Sequence, residues 1–94
     1  APREIDEALL EHYAVLEAAA FPRACKDYGQ RVEACVCLKT GHNVGENELR
    51  EFCKGLIGAY KTPDHIYFLD DLPKGPSGKV QRLKLIDLIQ SKKA

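Results

Sequence analysis

The chain has 94 residues, 45% apolar and 30% charged, the size and balance of one small globular domain with a modest core. Its 14 basic and 14 acidic groups leave no formal net charge, which speaks against general binding to nucleic acid or an anionic membrane, because either needs a basic excess or a basic face. No apolar run approaches the ~20 residues needed to span a bilayer, and the acidic opening "APREIDEALL" is not a secretory signal, so cytoplasm is the expected compartment.

That opening reads as the first turn of a helix in part of a longer protein, with Pro2 at a position where a missing N–H costs nothing. Ile5, Ala8, Leu9 and His12 follow as one apolar stripe. "AVLEAAAF", Ala14 to Phe21, is a short buried strand stopped by Pro22, and "RACKDYGQ" is a polar connection. From Val32 the pattern alternates. Val32, Ala34, Val36 and Leu38 share one face, and Glu33, Cys35, Cys37 and Lys39 the other, as in a half-buried strand. "TGHNVG" is a turn cluster.

The clearest helix starts at Glu46, with Leu49, Phe52, Cys53, Leu56 and Ile57 as a full core-facing stripe. Glu46, Glu48 and Glu51 favour its N-terminal half, and Gly58 can end it. "DHIYFLDDL", Asp64 to Leu72, predicts a third strand. Val80 to Lys93 predicts a last helix with Leu83, Ile86 and Ile89 inward. The order helix, strand, strand, helix, strand, loop, helix implies an α+β layer structure, a small three-stranded sheet flanked by helices.

Cys25, Cys35, Cys37 and Cys53 contain no Cys-x-x-Cys, and His12, His42 and His65 show no metal-ligand spacing. No metal site is expected. Buried thiols in a reducing compartment are the better reading.

The segment with chemical promise is "LPKGPSGKVQRLKL", Leu72 to Leu85. By composition it is a solvated turn. A phosphate loop fails on two counts: Pro73 stands five before Gly78 where a glycine is needed, and Val80 rather than Ser or Thr follows Lys79. A nucleic-acid patch fails because Lys74, Lys79, Arg82 and Lys84 lie beside Asp70 and Asp71 with no interleaved aromatic residue. A third option is a single cation on a bendable arm. Joining a carboxylate to ATP builds negative charge at phosphorus, and a lysine ammonium offsets it with up to three donors. A glycine-rich approach would let Lys79 enter a site built by another domain and leave again.

Several segments together resemble the C-terminal domain of adenylate-forming enzymes, the superfamily of acyl-CoA synthetases, non-ribosomal peptide adenylation domains and luciferase. "PREIDEALLEHYAVLEAAAF" is similar to their Pro-x-Glu-Ile-Glu…His-x-x-Val-x-Glu-Ala stretch, and "YGQRVEACVCLK" to their following strand. "ELREFCKGLIGAYKTPDHIYFLDDLPKGPSGKVQRLKL" matches their Tyr-Lys-x-Pro and Leu-Pro-Lys-x-x-x-Gly-Lys-x-x-Arg motifs in order and spacing. Nearly the whole chain is covered.

The resemblance implies a mobile lid, residues 1–94, on a large N-terminal domain that is absent from this chain. ATP, CoA and a carboxylic acid would be the substrates, with Mg2+ in the large domain and nothing bound by the lid alone. The implied reaction makes an acyl-adenylate and then an acyl-CoA. Lys79 falls on the family's adenylation lysine, with Ser77 and Gly78 supplying its turn. The same pattern implies acetylation of Lys79 by a protein lysine acetyltransferase, which would remove the charge.

Lys54 lies near a basic position facing the CoA nucleotide, and a solvated helix-face lysine reads it equally well. Glu4 orders the first helix, Tyr60 and Pro63 shape a turn, and Arg82 supports the loop or faces solvent. The segment before "PREIDE" that carries the hinge is absent, Arg23 replaces an acid, and Gln30 stands where Glu is common. Two other readings remain open: the lid of a peptide-synthetase adenylation domain that loads a carrier protein, and a non-catalytic interaction module of the same fold. In all of these the isolated lid is expected to be inactive.

Overall fold

The computed structural model describes residues 2–25 and 29–93. Its elements are α1 (Pro2–Leu10), β1 (Val15–Cys25), β2 (Gly29–Leu38), α2 (Glu46–Ile57), β3 (Ile66–Phe68) and α3 (Arg82–Lys93). The sheet order is β1-β2-β3, with β1 antiparallel and β3 parallel to β2. The parallel pair needs a crossover, and α2 supplies it.

The predicted α+β layers are present, and each helix sits where its apolar residues dictate. Ile5, Ala8 and Leu9 bury one side of α1. They pack with Leu49 and Cys53 of α2 against Val15, Ala18, Ala20, Ala34 and Val36 on one face of the sheet. On the opposite face, Leu85 and Ile89 of α3 pack with Leu72 against Ala19, Phe21 and Cys35. The sheet is thus covered on both sides, with α1 and α2 on one side and α3 with the preceding loop on the other.

That arrangement corrects several expectations. β1 does not stop at Pro22: Arg23, Ala24 and Cys25 continue it and pair with Arg31, Gln30 and Gly29 of β2, and residues 26–28 of the expected polar connection lie outside the described residues. Pro22 is tolerated because β1 is an edge strand, whose outward side needs no ladder donor. β2 is not half-buried, because it is the central strand. Glu33, Cys35 and Cys37 are buried along with Ala34 and Val36. The price of this double burial is a carboxylate in the interior, and Glu33 meets it by accepting hydrogen bonds from Arg23 at 2.8 Å and the Tyr67 hydroxyl at 3.0 Å.

β3 shrinks to Ile66–Phe68. The stripe on α2 is narrower than expected, since Leu56 is exposed and Phe52 and Ile57 are half-buried. Helix α1 ends before His12, which is nonetheless buried; its Nδ1 accepts the Ala14 N–H at 3.1 Å.

The last helix differs most. It starts at Arg82, and Leu85, fully buried, and Ile89 face the sheet while Leu83 is 78% exposed. At roughly 100° per residue, Leu83 lies about 200° round the helix from Leu85 and must point away. Cys35, Cys37 and Cys53 are buried thiols, as expected; the Cys25 side chain lies outside the described residues. Among those residues no helix is long and apolar enough to cross a membrane.

Candidate functional site

Residues 73–81 fold into a tight hairpin. Lys74 and Val80 pair across it. The Gly75 N–H donates to the Lys79 carbonyl at 2.9 Å, the Gly78 N–H donates to the Gly75 carbonyl at 3.0 Å, and the Gln81 N–H closes on the Pro73 carbonyl at 2.9 Å. These bonds make Gly75-Pro76-Ser77-Gly78 a four-residue turn, with Pro76 where its fixed φ is favourable. Gly78 has φ 84°, a conformation that costs any side-chain-bearing residue, so the glycine belongs to the turn's geometry. Gly75 has a different reason: a Cβ there would lie 2.9 Å from Gln81 Nε2.

The legs of the hairpin are fastened to β1. Lys74 Nζ lies 2.8 Å from Glu17 and 3.0 Å from Asp71. Hydrogen bonds to Glu17 and then Asp71 raise its pKa above the ordinary lysine value, and the Asp71 carboxyl is held low mainly by the same lysine. On the outgoing leg, Arg82 donates to Asp6 Oδ2 at 2.6 Å and to the Ala20 carbonyl at 2.6 Å, while the Ala20 N–H donates to Asp6 Oδ1 at 2.7 Å. Leu72 and Val80 pack into the core beneath.

The tip is different. Ser77, Gly78 and Lys79 are all exposed, and the Lys79 ammonium has no hydrogen-bond or ion-pair partner among the described residues. The hairpin therefore presents one unsatisfied cation on a turn whose two ends are pinned. Such a group can donate to a carboxylate or phosphate oxygen brought to it, at little cost in prior bonds.

The structure brings Ser77, Gly78 and Lys79 together and leaves Lys54 elsewhere. Lys54 is exposed on α2, in the layer on the other face of the sheet from α3. Glu4 ties α1 to the turn after α2 through Lys61 Nζ at 3.1 Å. Pro63 is buried and its carbonyl accepts from Arg50 Nε at 2.9 Å, so it does shape that turn, whereas Tyr60 is fully exposed. Arg82 supports the loop rather than facing solvent.

Asp6, Glu17 and Gln81 carry no signal in the sequence. Each looks like an ordinary polar residue beside an apolar stripe, and only the tertiary contact, as between Asp6 and Arg82, gives it meaning. A groove of about 360 Å³ lined by Cys37, Lys39, His42 and Phe68 includes none of the expected site residues. Among the described residues no cluster of His, Cys, Asp or Glu could hold a metal ion.

A family model described as AMP-binding enzyme C-terminal domain matches residues 4–79, ending on the tip lysine. The sulfoacetate–CoA ligase of Cupriavidus necator is 51% identical over 87 residues, covering 93% of this chain and 17% of that protein. The benzoate–CoA ligase of Thauera aromatica is 42% identical over 87 residues, covering 89% of this chain and 16% of that protein. Among solved structures, the Brucella canis acyl-CoA synthetase superposes with a TM-score of 0.88 at 34% identity, covering 99% of this chain and 18% of that one. The chain thus spans about a sixth of the length of the curated relatives it matches.

Proposed function

The chain belongs to the AMP-binding enzyme C-terminal domain family, with acyl-CoA ligases as its relatives, and we propose that it is the lid of an ATP-dependent acid–CoA ligase, with Lys79 serving the adenylation step. The observation that supports this most is the Lys79 ammonium, without a partner among the described residues, at the tip of a pinned hairpin; the motif resemblance implies that this is the adenylation lysine.

In the proposed reaction a carboxylate oxygen of the acid attacks the α-phosphorus of ATP. An acyl–O–P bond forms, the bond to the β-phosphate oxygen breaks, and pyrophosphate leaves. Charge builds on the α-phosphate oxygens, and Lys79 donates to them and to the acid's carboxylate. In the second step the CoA sulfur attacks the acyl carbon, the thiol proton passes to solvent, and AMP departs. Lys79 is not needed there, so the lid is free to turn it away.

The large N-terminal domain is the lid's first partner and supplies the pockets for ATP and acid, with Mg2+ arriving as part of the nucleotide substrate. The acid is chosen in that domain: relatives named for acids as different as sulfoacetate and benzoate are 51% and 42% identical to this lid. The lid on its own should be inactive. An exposed lysine without a partner is also open to a protein lysine acetyltransferase, and acetylation would stop the first step by removing the charge. Buried thiols at Cys35, Cys37 and Cys53 suit a cytoplasmic setting.

The test is acid-dependent pyrophosphate release by the full-length parent across a panel of carboxylic acids. The Lys79→Ala parent should lose release by about 10²–10³-fold. Release that survives the substitution would move the chemistry off this domain.

A further inference from the structure

The outgoing leg of the hairpin reaches its anchor through a closed ring of three hydrogen-bonded groups. Ala20 lies in β1, the edge strand, and the N–H and C=O of one strand residue point the same way. At Ala20 that way is outward, off the sheet. Asp6 of α1 accepts the N–H at 2.7 Å and Arg82 of α3 donates to the C=O at 2.6 Å. The ring closes when Arg82 donates to the other Asp6 oxygen at 2.6 Å.

This ring joins α1, on one face of the sheet, to the first residue of α3, on the other, around the open edge of β1. The Asp6 side chain is only 14% exposed, so the pair is sheltered where most surface ion pairs are screened and weak. Only Val80 and Gln81, neither of them a glycine, separate Lys79 from Arg82, so the position of Arg82 bears on the direction in which the outgoing leg leaves the sheet. The other fastening, Lys74 to Glu17, starts from the incoming leg and reaches the outgoing one only through the bonds across the hairpin.

We infer that Asp6 is a positioning residue for Lys79: by holding Arg82 against the Ala20 edge of β1 it sets where the hairpin tip delivers the lysine ammonium. This rests on the reading of Lys79 as the adenylation lysine. Asp6 itself touches no substrate. Its effect belongs to the approach of Lys79 to the transferring phosphoryl group, where a displacement of order 1 Å can cost up to about 10²-fold in rate.

The experiment uses the full-length parent and the acid on which it releases pyrophosphate fastest. Asp6→Asn keeps an oxygen for the Ala20 N–H and removes the charge that holds Arg82. It should lower kcat of adenylation by about tenfold, leave KM for ATP and acid within about twofold, and leave conversion of supplied acyl-adenylate to thioester unchanged. Asp6→Glu should restore most of the lost kcat. If Asp6→Asn does not fold, Arg82→Lys serves instead, since a lysine lacks the planar fork by which the guanidinium meets Asp6 and the Ala20 carbonyl at fixed angles; the same split is expected.

Equal loss of both half-reactions would make Asp6 merely structural and overturn the inference, as would a kcat within about twofold of wild type. Lys79→Ala in the same assay separates the two readings. Survival of adenylation without Lys79 overturns the lid chemistry, whereas its loss beside an unaffected Asp6→Asn overturns only the positioning role.

Discussion

Lys74 and Lys79 stand on the two legs of one hairpin, carry the same charge and differ in their surroundings. Lys74 spends its donors on Glu17 and Asp71, with a further contact to the Leu72 carbonyl at 3.4 Å. Lys79 spends none on the described residues. A lysine committed to carboxylates of its own domain anchors a loop and has little left for a ligand. One that leaves its three donors empty can act on a substrate, provided the backbone beneath it is held. The hairpin combines both conditions: a base tied to β1 and the core, and a tip with nothing to break when an anion arrives.

The base can be broken most severely from below. Leu85 is fully buried under α3, so Leu85→Ala should destabilise the lid by about 2–5 kcal/mol in urea unfolding. A loss below about 1 kcal/mol would mean that α3 does not carry the hairpin.

The tip can be strained without touching a contact. Gly78 and Gly58 both have positive φ, 84° and 89°, and a Cβ at either would meet nothing within 4 Å. Alanine at each should therefore cost about 1–3 kcal/mol in stability through backbone strain alone. Only Gly78→Ala should slow adenylation in the parent, because Gly58 caps α2 in the other layer. Equal effects on activity would show that the turn geometry at the tip is not used.

The incoming fastening should respond to pH and salt. The Asp71 carboxyl is held below its usual value, so its contribution is present above that value and fades as pH falls through the lowered pKa. Lys74 is raised, so its contribution is complete below the ordinary lysine value and fades only as pH rises through the raised pKa. The clamp is therefore intact at neutral pH and opens in acid. An NMR titration should place Asp71 below an ordinary aspartate, and Lys74→Met or high salt should raise it towards the ordinary value, the Leu72 N–H still holding part of the shift. An Asp71 titration that ignores both would show that the clamp is not populated in solution.

The smallest effect belongs to Leu83, expected to face inward and found exposed. Leu83→Ala should change stability by no more than about 0.5 kcal/mol; a loss comparable with that of Leu85→Ala would reverse the observed helix register.

Much of this was legible before the fold. The stripes of α1 and α2 and the alternation of β2 are local patterns, and a turn declares itself through Gly75, Pro76 and Gly78, though its closure into a hairpin does not. What escaped depends on neighbours in space. The alternation of β2 suggests one wet face, but a central strand between two helical layers has none, so Glu33 becomes a buried acid. Pro22 looks like a strand end and is tolerated because β1 is an edge. Of the residues expected inward on α3, Ile89 is buried and Ile86 packs beside it, whereas Leu83 is exposed, because Leu83, Ile86 and Ile89 recur at helical spacing as convincingly as Leu85 and Ile89. Lys79 is singled out by motif, whereas Asp6 draws notice only when Arg82, distant in sequence, folds against it.

The most direct measurement gives the Lys79→Ala parent a supplied acyl-adenylate together with CoA and follows thioester formation beside pyrophosphate release from ATP and acid. A lysine reserved for the first step predicts thioester formation within about twofold of wild type while pyrophosphate release falls by about 10²–10³-fold. Parallel loss of both half-reactions would contradict it and make the hairpin a structural feature of the lid.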